Sequence, residues 1–384
     1  MRSIIQYAEE EQRTFEELPF NSVDAVILSH ISYFHWELVI GDYLRKGSPC
    51  PSKILIRELP AKEAAIPLIE RIASPDECFL LYEAIRVSQR FSLIELTRFH
   101  EIEDLGKEEQ FAAVTCNIDD EMAYISYRGT NGTFVGWKED FNMAAMFPVG
   151  CQADALSYLL DAAKHLPKKI KLLVGGHSKG GNCAMYAATY APLDVQKRIE
   201  KVYSFDGPGY KIPIHELPEY EPIRDKVEHY IPKASLVGQL LEIPTNHKIV
   251  ESTSMWLSQH DPFTWYVGAT DFIYASEVSP QAEIRVNTVN AWVATLSDEK
   301  RRAVADTIYH IVQASRTENV FEISDTWRDK ANSILEATKS IDAKTKENII
   351  DTIRILVYLN LKEHRKKGLA LPKIPSLKLP PKVK

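Results

Sequence analysis

Apolar and polar positions alternate with two different periods in the middle of the chain. Two apolar runs, 111–118 and 122–127, flank a short acidic turn and predict a β-hairpin. Residues 151–166 carry alanine and leucine on one helical face and predict a helix. Further short apolar runs predict strands at 170–174, 201–205, 227–231 and 248–252. Strands alternating with helices indicate an α/β fold, with a mostly parallel sheet and helices on both faces.

Both ends of the chain show helical periodicity instead. Residues 18–45 begin with helix-capping side chains and predict one helix with a buried face. Residues 61–73 and 75–97 predict a helical pair that packs in the core. The strand signals stop near residue 278, and 284–312 and 326–361 predict amphipathic helices.

The chain therefore divides into three predicted parts. We expect an α/β domain over residues 1–277, including the N-terminal helices, and a helical region over 278–361. Residues 362–384 combine lysine, arginine and proline, which predicts an extended basic tail. A solvated tail is one interpretation. Weak contact with an anionic membrane surface is the other, because each basic residue near such a surface contributes about 1 kcal/mol.

Composition narrows the class of protein. The 46 basic and 53 acidic residues give a net charge of −7, which argues against a general nucleic-acid binder. The 5 cysteines are odd in number and form no C-x-x-C pair, so we expect reduced thiols. The N-terminus lacks the apolar core of a signal peptide, and no apolar run reaches the length of a membrane span. We therefore expect a cytoplasmic protein.

One short stretch contains the candidate nucleophile. The predicted strand at 170–174 leads into Gly176-His177-Ser178-Lys179-Gly180, and a run of small helix-forming residues follows. This is the G-x-S-x-G pattern of the nucleophile elbow, in which a serine lies on a strained turn between strand and helix. Because strand and helix are both predicted in place, the pattern indicates that Ser178 is a nucleophile.

An activated serine requires a base, which follows it in the chain in proteins with this elbow. His260 lies in a loop after the last predicted strand and is the candidate base. His247 begins a strand and is the weaker rival. The remaining histidines after Ser178 lie in a proline-rich loop, in a strand and in the C-terminal part of the chain, at positions 215, 229, 310 and 364.

A carboxylate is expected to orient that base. Asp206 follows the strand at 201–205, and ligand sites of open α/β sheets lie at such carboxyl ends. Its alternative role is to cap the Gly-Pro turn that follows. Asp261 is a poor rival, because adjacent side chains in an extended segment point apart. Asp225 and Asp271 remain open alternatives.

Two groups are candidates for stabilising an oxyanion. One is the backbone N–H of Lys179, the residue after the nucleophile, and the other is Thr130, through its backbone N–H and its hydroxyl. Thr130 follows a predicted strand in Arg128-Gly129-Thr130. The alternative for this loop is an ordinary turn.

Several motifs together resemble those of the class 3 lipases, α/β hydrolases related to the fungal triacylglycerol lipases. The motifs are Tyr127-Arg128-Gly129-Thr130, Gly136-Trp137 with Asp140, Gly176-His177-Ser178-Lys179-Gly180-Gly181-Asn182 and Phe205-Asp206-Gly207-Pro208. The chain more closely resembles an uncharacterised bacterial family of lipase-like proteins, a domain of unknown function. The additional motifs are Leu18-Pro19-Phe20-Asn21-Ser22-Val23-Asp24, Ser235-Leu236-Val237-Gly238 and Gln259-His260-Asp261-Pro262-Phe263. The resemblance covers residues 15 to about 270.

The resemblance implies an α/β-hydrolase fold with Ser178 as nucleophile and His260 as base. It also implies oxyanion donors at Thr130 and Lys179, and a lid at residues 131–149. The lid and pocket would present apolar side chains, with core packing as the alternative; these are Phe134, Trp137, Phe141, Met143 and Met146.

The chain departs from class 3 lipases at the acid. Those lipases have an Asp-x-Val-Pro motif after the next strand, where this chain has Pro232-Lys233-Ala234-Ser235-Leu236-Val237. The acid must therefore come from elsewhere or be absent. Asp206 keeps a triad feasible.

We therefore expect a serine hydrolase that cleaves a carboxylic ester, of a lipid or another acyl compound, through Ser178, His260 and Asp206. The expected partner is a small acyl ester, with no cofactor, metal or nucleic acid. One alternative is an inactive protein of the same fold that binds an acyl ligand or a protein through the helical region. The other is an amidase or peptidase with the same triad.

Overall fold

The structure is a computed structural model, and it describes residues 2–44, 53–69, 73–131, 134–244 and 246–313. The helix predicted at 326–361 and the basic tail at 362–384 lie outside these ranges. Residues 1–306 form one compact unit. The helix predicted at 284–312 is two helices in the structure, Pro280–Ala294 and Asp298–Gln313. Within the described ranges, every helix is too short or too polar to cross a membrane.

Among the described residues, eight strands in sequence order form one sheet at the centre of this unit. The strands are β1 Lys53–Leu55, β2 Glu95–Asp104, β3 Glu109–Asn117, β4 Met122–Tyr127, β5 Lys171–His177, β6 Ile199–Phe205, β7 Val227–Pro232 and β8 His247–Val250. Pairing is antiparallel from β1 to β4 and parallel from β4 to β8. The predicted hairpin is β3–β4, and the prediction of a mostly parallel sheet is confirmed, since parallel pairings outnumber antiparallel ones.

The α-helices cover both faces of the sheet. They are α1 Ile4–Glu10, α2 Ser22–His30, α3 Ile66–Ile69, α4 Pro75–Val87, α5 Phe134–Asn142, α6 Gly150–His165, α7 Lys179–Tyr190, α8 Leu193–Arg198, α9 Pro280–Ala294 and α10 Asp298–Gln313. Along β3, Ala112 and Val114 pack with α1, α2 and α4, whereas Phe111 and Ala113 pack with α6 and α7. Because successive side chains of a strand point to opposite faces, the two groups of helices lie on opposite sides.

The N-terminal third departs from the predicted helices. Residues 95–97, predicted as the end of a helix, begin β2. The backbone of β2 has a bulge at Arg98, where φ is 57° and the register with β3 shifts. The bulge puts Leu96 and Phe99 into the same buried cluster although they are three positions apart. The helix predicted at 75–97 therefore ends as α4 at Val87, ten residues earlier than expected.

The helix predicted over 18–45 is also shorter in the structure. It ends as α2 at His30, and two short 3-10 turns follow at Ile31–Tyr33 and Trp36–Leu38. The Trp36 indole N–H donates to the Ile31 carbonyl at 2.8 Å. In a continuing helix the Ile31 carbonyl would accept from the backbone N–H four residues further on. Here it accepts from the buried Trp36 side chain, so the helix has ended.

A buried ion pair fastens α2 to the chain around it. Arg90 lies 2.6 Å from the Asp24 carboxylate, and both side chains are fully buried. The same guanidinium donates to backbone carbonyls within residues 13–19. The turn at the end of α2 brings the Tyr33 hydroxyl to His177, next to Ser178.

Replacement of Arg90 by methionine is expected to lower the free energy of unfolding by about 3–5 kcal/mol, because Asp24 would be left as an unpaired buried charge. Urea denaturation followed by circular dichroism measures the change. Arg224→Met is the control, since Arg224 pairs with Glu221 on the surface, and it should leave the midpoint unchanged. Equal midpoints for the two variants would contradict the structural role of Arg90.

Candidate active site

The turn between β5 and α7 has a strained conformation at Ser178. This residue alone connects His177, the last of β5, to Lys179, the first of α7, and its φ and ψ are 58° and −131°. A residue with a side chain rarely adopts a positive φ, and the strain costs on the order of 1–3 kcal/mol. Strain of this kind is found at functional sites, and here it coincides with the candidate nucleophile.

The two glycines of the motif are required by close packing. A Cβ on Gly176 would lie 2.6 Å from the Tyr127 carbonyl oxygen, and a Cβ on Gly180 would overlap that same oxygen. Real Cβ atoms essentially never approach within 3.0 Å of another heavy atom. Larger residues would therefore push β4, β5 and α7 apart and move Ser178.

Asp206 and His260 meet beside the elbow. Asp206 directly follows β6 and is 1% exposed, and its Oδ2 lies 2.6 Å from His260 Nδ1. A carboxylate accepts hydrogen bonds only, so Nδ1 is the donor and Nε2 of the neutral ring is left as a proton acceptor. This is the tautomer that a general base of a serine nucleophile requires.

The other carboxylate oxygen of Asp206 accepts two hydrogen bonds from the segment that follows β7. Oδ1 accepts from the Ser235 hydroxyl at 2.5 Å and from the Gly238 backbone N–H at 3.1 Å. Ser235 stands in the stretch where class 3 lipases have their acid motif. In this chain the stretch holds the carboxylate of Asp206, which follows the preceding strand. Sequence reasoning missed Ser235 and Gly238 as site residues, although both lie in a motif that carried the resemblance.

Ser178 is partly exposed, and its hydroxyl has no hydrogen-bond partner, His260 included, within the described part of the chain. Hydrogen bonds of catalytic groups are often long without substrate and tighten in the complex. The backbone nevertheless ties Ser178 to the strand end that bears Asp206. The Ser178 N–H donates to the Phe205 carbonyl at 2.9 Å, and Phe205 directly precedes Asp206.

His177 connects the elbow to the loop that bears the base. Its Nε2 lies 2.7 Å from the His260 carbonyl oxygen, and its Nδ1 lies 3.1 Å from the Tyr33 hydroxyl. Burial, together with the neighbouring His260, holds the pKa of His177 well below its ordinary value, so the ring is neutral. A carbonyl only accepts, so Nε2 carries the proton and Nδ1 accepts from Tyr33. The sequence offers no signal for this role beyond the position next to Ser178.

One predicted oxyanion donor, Lys179, belongs to the elbow itself, and the other, Thr130, lies in a loop close to it. Lys179 is the first residue of α7, so its backbone N–H has no acceptor inside the helix. The loop of Thr130 packs closely, since a Cβ on Gly129 would lie 2.7 Å from the His177 carbonyl oxygen. The Thr130 hydroxyl donates to Asp140 Oδ2 at 2.6 Å. Its proton is therefore committed to Asp140, and the backbone N–H remains the predicted donor.

Asp140 is the acceptor that holds the Thr130 side chain. Burial raises the pKa of Asp140 to about 6, against the opposing effect of the positive charge of Lys179. The carboxyl is therefore ionised at neutral pH, and its hydrogen bond with Thr130 is charge-assisted.

Helix α5 occupies the first half of the predicted lid at 131–149. Met143 lies in the core cluster with α6 and α7, Met146 packs against that cluster, and Phe141 is half-buried. The side chains of Phe134 and Trp137 lie outside the described residues. The two methionines thus have the environment of core residues, which is the alternative to a lid that the sequence left open.

The rival residues make other contacts. Asp261 accepts from a serine hydroxyl at 2.7 Å and caps the turn that follows it. Asp271 accepts from a tyrosine hydroxyl at 2.6 Å. His247 is the first residue of β8, as expected. Asp206 is the carboxylate that bonds to the His260 ring.

A strained serine between a parallel strand and a helix, followed in the chain by a carboxylate bonded to a histidine, is the arrangement of an α/β hydrolase. The family comparison agrees with this fold. The model of the Mbeg1-like family, a lipase-like family, matches residues 85–310, more than half of the chain. The chain belongs to this family, and the predicted relation to lipase-like proteins is confirmed. No curated protein matches the chain.

Three solved lipases are similar to this chain at low sequence identity. For lipase II from Rhizopus niveus the identity is 16%, with 46% of this chain and 69% of that chain covered and a TM-score of 0.30. For the Rhizomucor miehei lipase propeptide complex the identity is 17%, with 43% of this chain and 66% of that chain covered and a TM-score of 0.26. For M37 lipase the identity is 14%, with 57% of this chain and 70% of that chain covered and a TM-score of 0.31. Similarity at this level is too low to transfer the role of any residue.

Replacement of Ser235 by alanine removes one of the hydrogen bonds that hold Asp206. Hydrogen bonds to charged groups are the stronger ones, so labelling of Ser178 by a fluorophosphonate should slow by about tenfold. The second-order rate constant of labelling is the measurement. Ser88→Ala is the matched control, because Ser88 is a buried serine that bonds to the Arg90 backbone. Equal rates for both variants would show that Ser235 does not support the acid.

Proposed function

We propose that the protein is a serine hydrolase that cleaves a carboxylic ester, of a lipid or another acyl compound, through an acyl-enzyme. The observation that carries the proposal is the 2.6 Å hydrogen bond between Asp206 and His260, in the correct chain order after the strained Ser178. Membership of a lipase-like family supports it. The proposal includes the cytoplasmic location expected from the sequence.

In the proposed acylation step, His260 Nε2 takes the proton of the Ser178 hydroxyl as Oγ attacks the ester carbonyl carbon. The carbonyl oxygen becomes an oxyanion, which accepts from the backbone N–H groups of Lys179 and Thr130. Asp206 stabilises the imidazolium that has formed. The bond to the alcohol oxygen then breaks, His260 returns its proton to that oxygen, and the alcohol leaves.

Deacylation uses the same groups with water in place of the serine. His260 removes a proton from a water molecule, and the resulting hydroxide attacks the acyl carbon on Ser178. The oxyanion forms at the same donors. Collapse of this intermediate breaks the bond to Oγ, His260 returns the proton to Ser178, and the carboxylic acid is released.

An inactive binding protein of the same fold is the less favoured alternative. Such a protein has no need of a buried carboxylate held by two donors and aimed at a histidine ring, as Asp206 is. An amidase or peptidase would use the same groups with an amine as leaving group. The lipase-like family supports an ester over an amide. The proposal also includes weak contact of the basic tail at 362–384 with an anionic membrane, from which a lipid ester could be supplied.

A fluorophosphonate probe should label the folded protein at Ser178, and Ser178→Ala should abolish labelling. His260→Ala and Asp206→Asn should each lower kcat on a p-nitrophenyl ester by about 10⁴-fold, since loss of the base or of its correct tautomer has effects of that order. His165→Ala is the control, because His165 is exposed on α6 and bonds to its own helix.

The leaving group is tested with matched substrates. Hydrolysis of p-nitrophenyl esters of increasing acyl length, with little hydrolysis of the corresponding p-nitroanilides, is the expected result. Faster hydrolysis of the anilides would favour an amidase. Intact, folded protein that neither hydrolyses these esters nor reacts with the probe would refute the enzyme and leave the binding protein.

A further inference from the structure

A buried ion pair lies directly behind the elbow and has no part in the chemistry described above. The Lys179 ammonium lies 2.8 Å from Glu139 Oε2, and both side chains are at most 2% exposed. Taking two charges out of water costs several kcal/mol per ion, and such pairs are often no more stable than apolar residues of the same shape. A contribution to stability is therefore a poor explanation for the presence of this ion pair. Its position beside the elbow suggests a role in the candidate site instead.

All three donors of the Lys179 ammonium are used. Besides Glu139, they reach the backbone carbonyl of Gln110 at 2.7 Å and its side-chain Oε1 at 2.9 Å. Gln110 belongs to β3, next to the strand that ends at the Thr130 loop. The ammonium therefore joins the start of α7 to the sheet and to α5.

Glu139 is equally well fastened. Its Oε2 also accepts from the Gln110 backbone N–H at 3.1 Å, and its Oε1 accepts from the Cys151 N–H at 2.8 Å. The turn of α5 that contains Glu139 is thus bound at once to β3, to the start of α6 and to α7.

The next residue of α5, Asp140, contacts the residue that carries the other predicted oxyanion donor. Asp140 accepts from the Thr130 hydroxyl, and Thr130 carries the second predicted donor. One helical turn therefore contacts Lys179, whose N–H is one donor, and Thr130, whose N–H is the other. The Glu139–Lys179 pair sets the position of that turn relative to the nucleophile helix.

We infer that Glu139 and the Lys179 side chain are positioning residues, which hold the two oxyanion donors at their working separation before substrate binds. The inference rests on the proposed hydrolase. Neither side chain touches the reacting atoms. Their loss would weaken binding of the transition state and leave binding of the ground-state ester unchanged.

The variant that tests this is Lys179→Met/Glu139→Gln, which removes both charges, keeps their shapes and retains the Lys179-position backbone N–H. We expect cooperative unfolding, a KM within about threefold of the wild type, and a kcat lower by about a hundredfold, the effect of a misplacement of about 1 Å. The control is Lys201→Met/Glu228→Gln, which removes another ion pair of the sheet, 2.6 Å long and away from the site, and should leave kcat unchanged.

A trifluoromethyl ketone provides a readout that a merely structural role would not move. Ser178 Oγ adds to its carbonyl carbon, the serine proton passes to His260, and the resulting hemiketal oxyanion occupies the oxyanion site. Its affinity should fall by the same factor as kcat/KM in the double variant. A folded variant with unchanged inhibitor affinity, or with raised KM and unchanged kcat, would overturn the inference.

A second variant tests the inference even if the double variant does not fold. Gln110→Met removes one acceptor of the ammonium and keeps the ion pair, and should lower kcat and inhibitor affinity together by about tenfold. Unchanged values would overturn the inference. A wild type that neither hydrolyses esters nor binds the ketone would refute the proposed function itself, whereas an active wild type with unaffected variants refutes only the positioning role.

Discussion

The contact of β4, β5 and α7 at the elbow is the constraint on which the rest of the site depends. With Gly176 and Gly180 in place, the strand and the helix approach closely enough to leave one residue, Ser178, to turn the chain. The parallel strands β5 to β8 then end at the same edge of the sheet. Asp206 and the loop of His260 follow strands of this edge, so residues distant in sequence meet beside the serine.

The parts of the fold that the sequence predicts are those whose burial has a simple period. Strands β3 to β7 are short apolar runs bounded by turns, and α6 has one apolar face, so their patterns are unambiguous. β2 was missed for a physical reason. The bulge at Arg98 changes which side chains face the core, and a local change of backbone conformation leaves no mark in a periodicity that assumes a regular strand.

The candidate site likewise contains some residues that the sequence predicts and others that it does not. Ser178, Asp206 and His260 follow from the motif, the chain order and the ends of strands, and the structure brings Asp206 and His260 together. Ser235, His177 and Glu139 were not found, because each acts through a partner between 29 and 83 positions away. A serine, a histidine or a glutamate at such a position looks like any other until the tertiary contact is known.

The adjacency of Glu139 and Asp140 in α5 has a consequence for how this site can change. One inserted or deleted residue before Glu139 would rotate the following turn by about 100° and take both carboxylates from their partners together. The length of the connection from β4 to this turn is therefore not free to vary. Change in this site, by natural divergence or by design, therefore has to come from segments outside this connection.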